Sequence, residues 1–519
     1  MSELSRTAKS FKNAKVALAF YFINLVLQFF SRKVFLDYLG AEVLGLNTTA
    51  QNLIGFLNLA ELGIGGAIAF TLYKPIFERD TQAINEIVSV QGWLYRRVAY
   101  IVIASACVLM CFFPLIFEKA EVPMWYTYGA FIIFLISALL GYFVNYRQIV
   151  LTADQKEYKI TLNVQGLKVI KVLLQTVVIY YLSNGYIFWL ALEFMVSVVT
   201  AILLHKLLKK EYPWLKTIVH NGRQLRQKYP EIIGKTKQVF FHQISAFVLY
   251  QTSPLIIYAY TSLTLVAIYG NYMFIVTGIS LLMNALFNSV GASVGNLVAE
   301  GDKFRIKSVF WELTSLRIWF ASVISFCIYK LGDAFIILWI GKEFVMERQA
   351  FIILIVITFI SLSRTNEIFL SAYGLFQDVW APITEAILNL GLSILLGYFY
   401  GLPGILSGVV ISLLLIVCIW KPFFLYKYGF KDNVREYLIR ISKYLLLIAI
   451  SCICVSWLAD KLFFDTINTY TEWLFYALRL FVLYTIFSLV LFMCFDKASC
   501  SYIMRLKLLL INLNSATLL

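Results

Sequence analysis

Charge is what this sequence has least of. Only 14% of its 519 residues are Asp, Glu, Lys or Arg, and 61% are hydrophobic, whereas a soluble domain is about 25% charged. So little polar surface excludes a water-soluble protein, and no soluble domain can be cut out, because the longest polar stretch, 206–237, is short and already helix-like. Histidine occurs three times. The eight cysteines form no CxxC pair and lie mostly within or near apolar runs, which leaves small buried thiols and no metal site or disulfide framework. A GxxxxGK[ST] phosphate loop is missing, so ATP hydrolysis by this chain is not expected. Large outer loops are missing too: the longest, 332–349 and 460–472, hold no histidine. No catalytic residue, metal or cofactor is expected.

Long apolar runs are what the chain has in abundance. A membrane span needs about 20 mostly apolar residues, and fourteen such runs follow one another, from 16–38 and 43–71 to 441–459 and 473–495. The first continues through Arg32, Lys33 and Asp37 without a small-x-small cleavage site, so it is expected to stay in the mature protein. With the amino terminus inside, the inner segments hold thirty-two cations and the outer loops five. Cytoplasmic loops concentrate Lys and Arg, so both termini are expected to be cytoplasmic. The same rule gives a topological account of the net charge of +15, with an anionic substrate as the sharper alternative.

Two windows resemble each other at an offset of 222 residues: LAELGIGGAIAFTLYKPIFERDTQAINEIV, with Asp80, and MNALFNSVGASVGNLVAEGDKFRIKSVF, with Asp302. Six spans precede the basic segment 206–237 and six follow it. The expected fold is therefore an all-α polytopic membrane protein of two pseudo-symmetric six-helix bundles plus two C-terminal helices. Its parts are a first bundle at 1–205, a cytoplasmic basic linker at 206–237, a second bundle at 238–430, and two added helices with a tail at 431–519. Transporters with parallel repeats bind substrate between the halves and rock one against the other.

The block SRKVFLDYLGAEVLGLNTTAQNLIGFLNLAELGIGGAIAFTLYKP, residues 31–75, resembles the amino-terminal signature of polysaccharide flippases of the O-antigen and capsule type. These belong to the superfamily of multidrug, oligosaccharidyl-lipid and polysaccharide exporters. The motif likeness is mostly confined to the first 75 residues, and the topology likeness spans the chain. The resemblance implies movement of undecaprenyl-diphosphate-linked oligosaccharide units across the cytoplasmic membrane by alternating access. It also implies that spans 13 and 14 match the extra pair which, in the lipid II flippase, forms a groove for the lipid tail. The partners expected on this basis are the lipid-linked oligosaccharide, membrane lipid and a polysaccharide polymerase. No nucleic acid is expected, and the chain is expected to be a monomer.

Seven cations fall inside the spans: Arg32, Lys33, Lys168, Lys171, Arg317, Arg364 and Arg479. Each costs roughly 3 kcal/mol if it faces lipid, so those that cannot snorkel should face the bundle interior. Asn24, Gln28 and Arg32 follow at i, i+4 and i+8 on one helical stripe, a candidate cavity wall on which Arg32 and Lys33 could meet a diphosphate. The alternative for Lys33 is an i,i+4 pair with Asp37. Lys168 and Lys171 form a second cationic stripe, unless they pair with an acid such as Glu193. Arg364 lies near Glu367 and Glu385, with a structural bridge as the first reading and substrate or ion contact as the second. Asn284 and Asn288 could bind sugar hydroxyls or hold helices together. Glu61, Glu367 and Glu385 are candidates for ion coupling, with a structural role for Glu61 beside its glycines as the alternative. A cation-coupled drug exporter of the same superfamily and a membrane-embedded polysaccharide polymerase or ligase are the competing functions. The surplus of intramembrane cations counts against the first, and the short outer loops against the second.

Overall fold

The structure, a computed structural model, describes residues 6–288, 290–375, 377–462 and 467–496. A few side chains within these ranges, including those of His242, Gln243 and Asn288, lie outside the described set. Among the described residues every regular element is a helix. The chain divides into two compact units, Met1–Gly270 and Asn271–Leu519.

The first unit is built from α1 (Arg6–Leu57), α2 (Ile64–Glu78), α3 (Thr81–Cys111), α4 (Met124–Phe143), α5 (Glu157–Tyr181), α6 (Gly185–Glu211), α7 (Glu231–Tyr260) and the start of α8 (Leu263–Asn288). The rest of α8, α9 (Gly291–Glu300), α10 (Lys303–Ile340), α11 (Arg348–Leu362), α12 (Asn366–Ala372), α13 (Trp380–Phe430), α14 (Arg435–Leu462) and α15 (Tyr470–Phe495) make the second.

Among the described residues eleven helical stretches are long and apolar enough to cross a membrane. Two of them are bent: α1 at Gly40 (φ 81°) and α13 at Gly401 (φ 58°), in backbone conformations open to glycine at little steric cost. The 51 residues of α13 would reach roughly 75 Å if straight, far beyond a hydrocarbon layer of about 30 Å, so each arm is a separate pass. Counting both arms of the two bent helices, and adding the thirty-residue α7, gives fourteen passes among the described residues. That is the number expected from hydropathy.

The windows 222 residues apart share local structure. In the first, α2 ends on Arg79 in the left-handed region (φ 57°), and the Asp80 carboxylate accepts the Ala83 amide at 2.9 Å to cap α3. In the second, α9 ends on Gly301 (φ 80°), and Asp302 caps α10 by accepting the amides of Phe304 and Arg305 at 3.0 and 3.1 Å. An aspartate at this position takes up amide groups that the first helical turn leaves without an intrahelical acceptor.

The basic segment is largely ordered structure. α6 runs to Glu211 and α7 begins at Glu231. The intervening strip is stitched to α3: Asn85 Oδ1 accepts the Lys216 amide and Ser89 Oγ the Ile218 amide, both at 2.9 Å, and Glu86 accepts from Lys228 Nζ at 2.6 Å and Tyr229 OH at 2.7 Å. In the second unit, α14 and α15 pack on α10. Phe326 stacks on Tyr484 at 4.3 Å, and Trp319 donates to Ser488 Oγ at 3.0 Å.

The twelfth span, read from the sequence as ending at residue 420, continues as helix in the structure, through π-type turns to Phe430, so Lys421 stands on the helix and not in a loop.

Candidate functional site

In the first unit, α1 and α5 run parallel in a fixed register. Asn13 bonds the Gln155 carbonyl at 3.1 Å and accepts the Tyr158 amide at 2.8 Å; Asn24 Nδ2 donates to Gln165 Oε1 at 3.1 Å; the rings of Tyr38 and Tyr180 meet at 5.3 Å. These pairs bring the two polar stripes read from the sequence together. Gln28 continues the α1 stripe, half-buried and without a hydrogen bond among the described residues. Arg32, one turn further, is also half-buried and packs toward α8, where a β-carbon on Gly270 would come within 3.1 Å of its Nη2.

The α5 stripe is divided between two neighbours. At its lower end Gln165 is held by Asn24 of α1. At its upper end Glu193 of α6 takes Lys171 Nζ at 2.7 Å and Gln175 Nε2 at 3.0 Å. Lys168 lies between them, half-buried, with no ion pair and no hydrogen bond among the described residues. It is eleven residues into α5, roughly 16 Å along the axis and thus near mid-depth. None of the other six intramembrane cations is without a partner. Lys33 is exposed and meets Asp37 at 3.5 Å in the i,i+4 pair its spacing predicts.

Glu61 occupies a break in the second pass. Asn58–Glu61 form a 3-10 turn, Gly63 is left-handed (φ 91°), and a β-carbon there would lie 2.5 Å from the Thr236 carbonyl of α7. Tyr95 OH donates to Glu61 at 2.9 Å, and Tyr142 OH donates to Asn58 at 2.8 Å. The carboxylate thus serves a helix interruption held by two tyrosines.

The second unit has its own interruption, between α11 and α12. The last carbonyls of a helix lack intrahelical donors, and in a membrane they cannot turn to water. Buried Arg317 of α10 supplies them: Nε donates to the Leu362 carbonyl at 2.7 Å and Nη1 to the Arg364 carbonyl at 3.0 Å, with the guanidinium over the Phe287 ring. Beyond the break, Glu367 meets Arg364 at 3.3 Å and Lys421 at 2.5 Å. Arg364 therefore bridges to Glu367, as one of its two expected acids. Glu385 and Asn389, one turn apart on α13, are both buried; Glu385 has no ion pair or hydrogen bond among the described residues, and Asn389 Oδ1 has no hydrogen-bond partner. Asn284 is exposed on α8, and the side chain of Asn288 lies outside the described residues.

Sequence reasoning missed Lys421, which lies beyond the span end read from hydropathy, and the clamp made by Arg317, which no local pattern announces. Among the described residues no cluster of three or more His, Cys, Asp or Glu could hold a metal.

No protein-family model matches the chain, and no curated protein matches it by sequence. Its fold does match solved structures. The lipid II flippase MurJ, in an inward closed conformation, superposes with a TM-score of 0.66 over 92% of this chain and 99% of that one, at 15% identity. A multidrug resistance MATE family transporter of the MOP superfamily, in an inward-facing conformation, gives 0.59 over 80% of this chain and 98% of that one, at 13% identity. The chain shares the fold of these two transporters. At such identities the likeness is one of fold, and the chemistry must be argued from this chain's own side chains.

Proposed function

We propose that the chain is a flippase that carries undecaprenyl-diphosphate-linked oligosaccharide units across the cytoplasmic membrane by alternating access. The observation that carries this reading is Lys168: a half-buried ammonium near mid-depth, with no acid bound to it, beside a stripe of amides that ends in Arg32. An ammonium in hydrocarbon is costly unless it meets water or a counter-charge. A diphosphate would supply that charge, with Arg32 suited to oxygen pairs and Lys168 to a single oxygen. Gln28, level with this gap, offers donors and acceptors to a sugar or phosphate oxygen. The sequence signature at residues 31–75 supports the polysaccharide branch, and the MurJ-like fold supports a lipid-linked substrate.

Glu385 is the acid best placed to couple transport to an ion. Glu61 accepts from Tyr95 and Glu367 is held by two cations, whereas buried Glu385 is in no hydrogen bond or ion pair among the described residues and the Oδ1 of its neighbour Asn389 has no hydrogen-bond partner. A buried carboxylate with no direct hydrogen bond or ion pair, and with the charges of Arg364 and Lys421 more distant, is suited to take up a proton or a small cation.

The test is to identify lipid-linked glycans that co-purify with the protein and to measure their translocation in vesicles with and without an imposed membrane potential and ion gradients. Co-purified diphosphate-linked glycan that moves only when the protein is present supports the proposal. Absence of bound glycan together with no translocation overturns it.

A further inference from the structure

A second site lies away from the intramembrane charges, where α13 ends. A cavity of about 620 Å³ is lined by Phe423, Tyr426, Lys427, Lys431, Asp432 and Asn433. Its volume suits a small polar ligand or a headgroup. Two cations line it. Lys427 and Lys431 are exposed and in no ion pair among the described residues, although Lys427 leans over the rings of Phe423 and Tyr428 at 5.7 and 5.2 Å.

The acid in the cavity wall is already engaged. Asp432 binds Lys307 of α10 and accepts the Asn433 amide at 2.6 Å; the hydrogen bond from Lys307 holds its carboxyl below the usual carboxylate range. Lys307 also meets Glu436 at 2.7 Å, so this network is closed without Lys427 or Lys431.

One further observation points to an absent ligand. Tyr426 lines the cavity and is fully buried, yet its hydroxyl has no hydrogen-bond partner. A buried donor without an acceptor is destabilising, and an acceptor supplied by a ligand relieves that cost. Lys431 adopts a left-handed backbone (φ 55°) at the helix end, where glycine is usual. Arg79 ends α2 in the same conformation, so this geometry closes the helix and leaves Lys431 exposed at the cavity.

We propose that Tyr426, Lys427 and Lys431 bind a phosphate group: the hydroxyl donates to one oxygen and the two ammonium groups balance its charge. The cation distribution assigns this end of the pass to the cytoplasmic face, where anionic phospholipid headgroups and free phosphates are both available.

The experiment uses the full chain in detergent. Its melting temperature is followed while dioleoyl phosphatidylglycerol, dioleoyl phosphatidylcholine or inorganic phosphate is titrated, for wild type, Y426F and K427A/K431A. A shift with phosphatidylglycerol alone assigns the site to a lipid headgroup, and a shift with inorganic phosphate as well assigns it to the phosphate itself. Phosphatidylcholine should be much weaker, because its choline cancels the charge. Y426F, which removes a hydroxyl that bonds nothing in the protein, should melt like wild type without ligand and bind about tenfold more weakly. K427A/K431A should lose the shift. No shift in wild type with either phosphate source, or the same affinity in all three proteins, overturns the site.

Discussion

Arg317 Nε lies 2.7 Å from the Leu362 carbonyl, and through that bond one helix terminates the next inside the membrane. The same guanidinium reaches the Arg364 carbonyl at 3.0 Å. Its charge is spread over two backbone dipoles and the face of Phe287 in place of a carboxylate. R317M should therefore lower stability by about 2–4 kcal/mol, since two charge-assisted bonds are lost and two carbonyls are orphaned. R317K, which cannot fork, should fall in between. Thermal unfolding in detergent checks this; an unchanged R317M would show that the break is held by other groups.

Glu367 joins two cations that would otherwise repel. In E367Q, Lys421 and Arg364 remain half-buried with no acid between them, and a loss of about 2 kcal/mol is expected, less than for a fully buried pair. Adding K421M to E367Q should recover part of that loss. The double-mutant cycle measures the coupling, and strict additivity of the two single changes would deny that the contact matters.

Lys168 and Arg32 are predicted to matter for translocation and little for folding. K168M removes a costly charge that binds nothing in the described structure, so it should melt at or above the wild-type temperature while export falls at least tenfold. R32A should reduce export with membrane insertion intact, and R32K should be only partly tolerated. Surface polymer quantified at equal protein abundance is the readout, and wild-type export from K168M would remove it from the passage.

Gly270 offers a separate handle on Arg32. A β-carbon there sits 3.1 Å from Nη2, so G270V should displace the guanidinium and reduce export several-fold. In an R32A background the same change should have little further effect. Equal losses in both backgrounds would mean that Gly270 acts through helix packing alone.

Glu385 is predicted to set the response to an ion gradient. E385Q keeps the shape and removes the charge, so transport should lose its dependence on an imposed proton or sodium gradient. Transport that keeps the wild-type gradient response in E385Q would exclude Glu385.

Much of this was legible before the structure. Hydropathy marks the passes because a lipid-spanning backbone must be helical. The pairing of Lys33 with Asp37 follows from spacing on one helix, and Glu193 stood out as an acid available to Lys171. The rest depended on breaks in helices. Ser363, Arg364 and Thr365 interrupt the tenth pass without a glycine or proline, so neither the gap nor the role of Arg317 can be read locally. The contact of Lys421 with Glu367 was not legible either, because wide helical turns carry the chain on from Trp420 to Phe430 where the sequence reading ended the span.

The aspartates at 80 and 302 bear on ancestry. Two stretches that end a helix in the left-handed region and start the next on a capping acid, 222 positions apart, read as descendants of one duplicated segment. Their fifth passes have since diverged in sign. One bears Lys168 and Lys171; the other bears Glu385 and, from Trp380 to Tyr400, no basic side chain at all. Corresponding passes of a doubled scaffold thus carry opposite intramembrane charge while the helix ends that frame them stay alike.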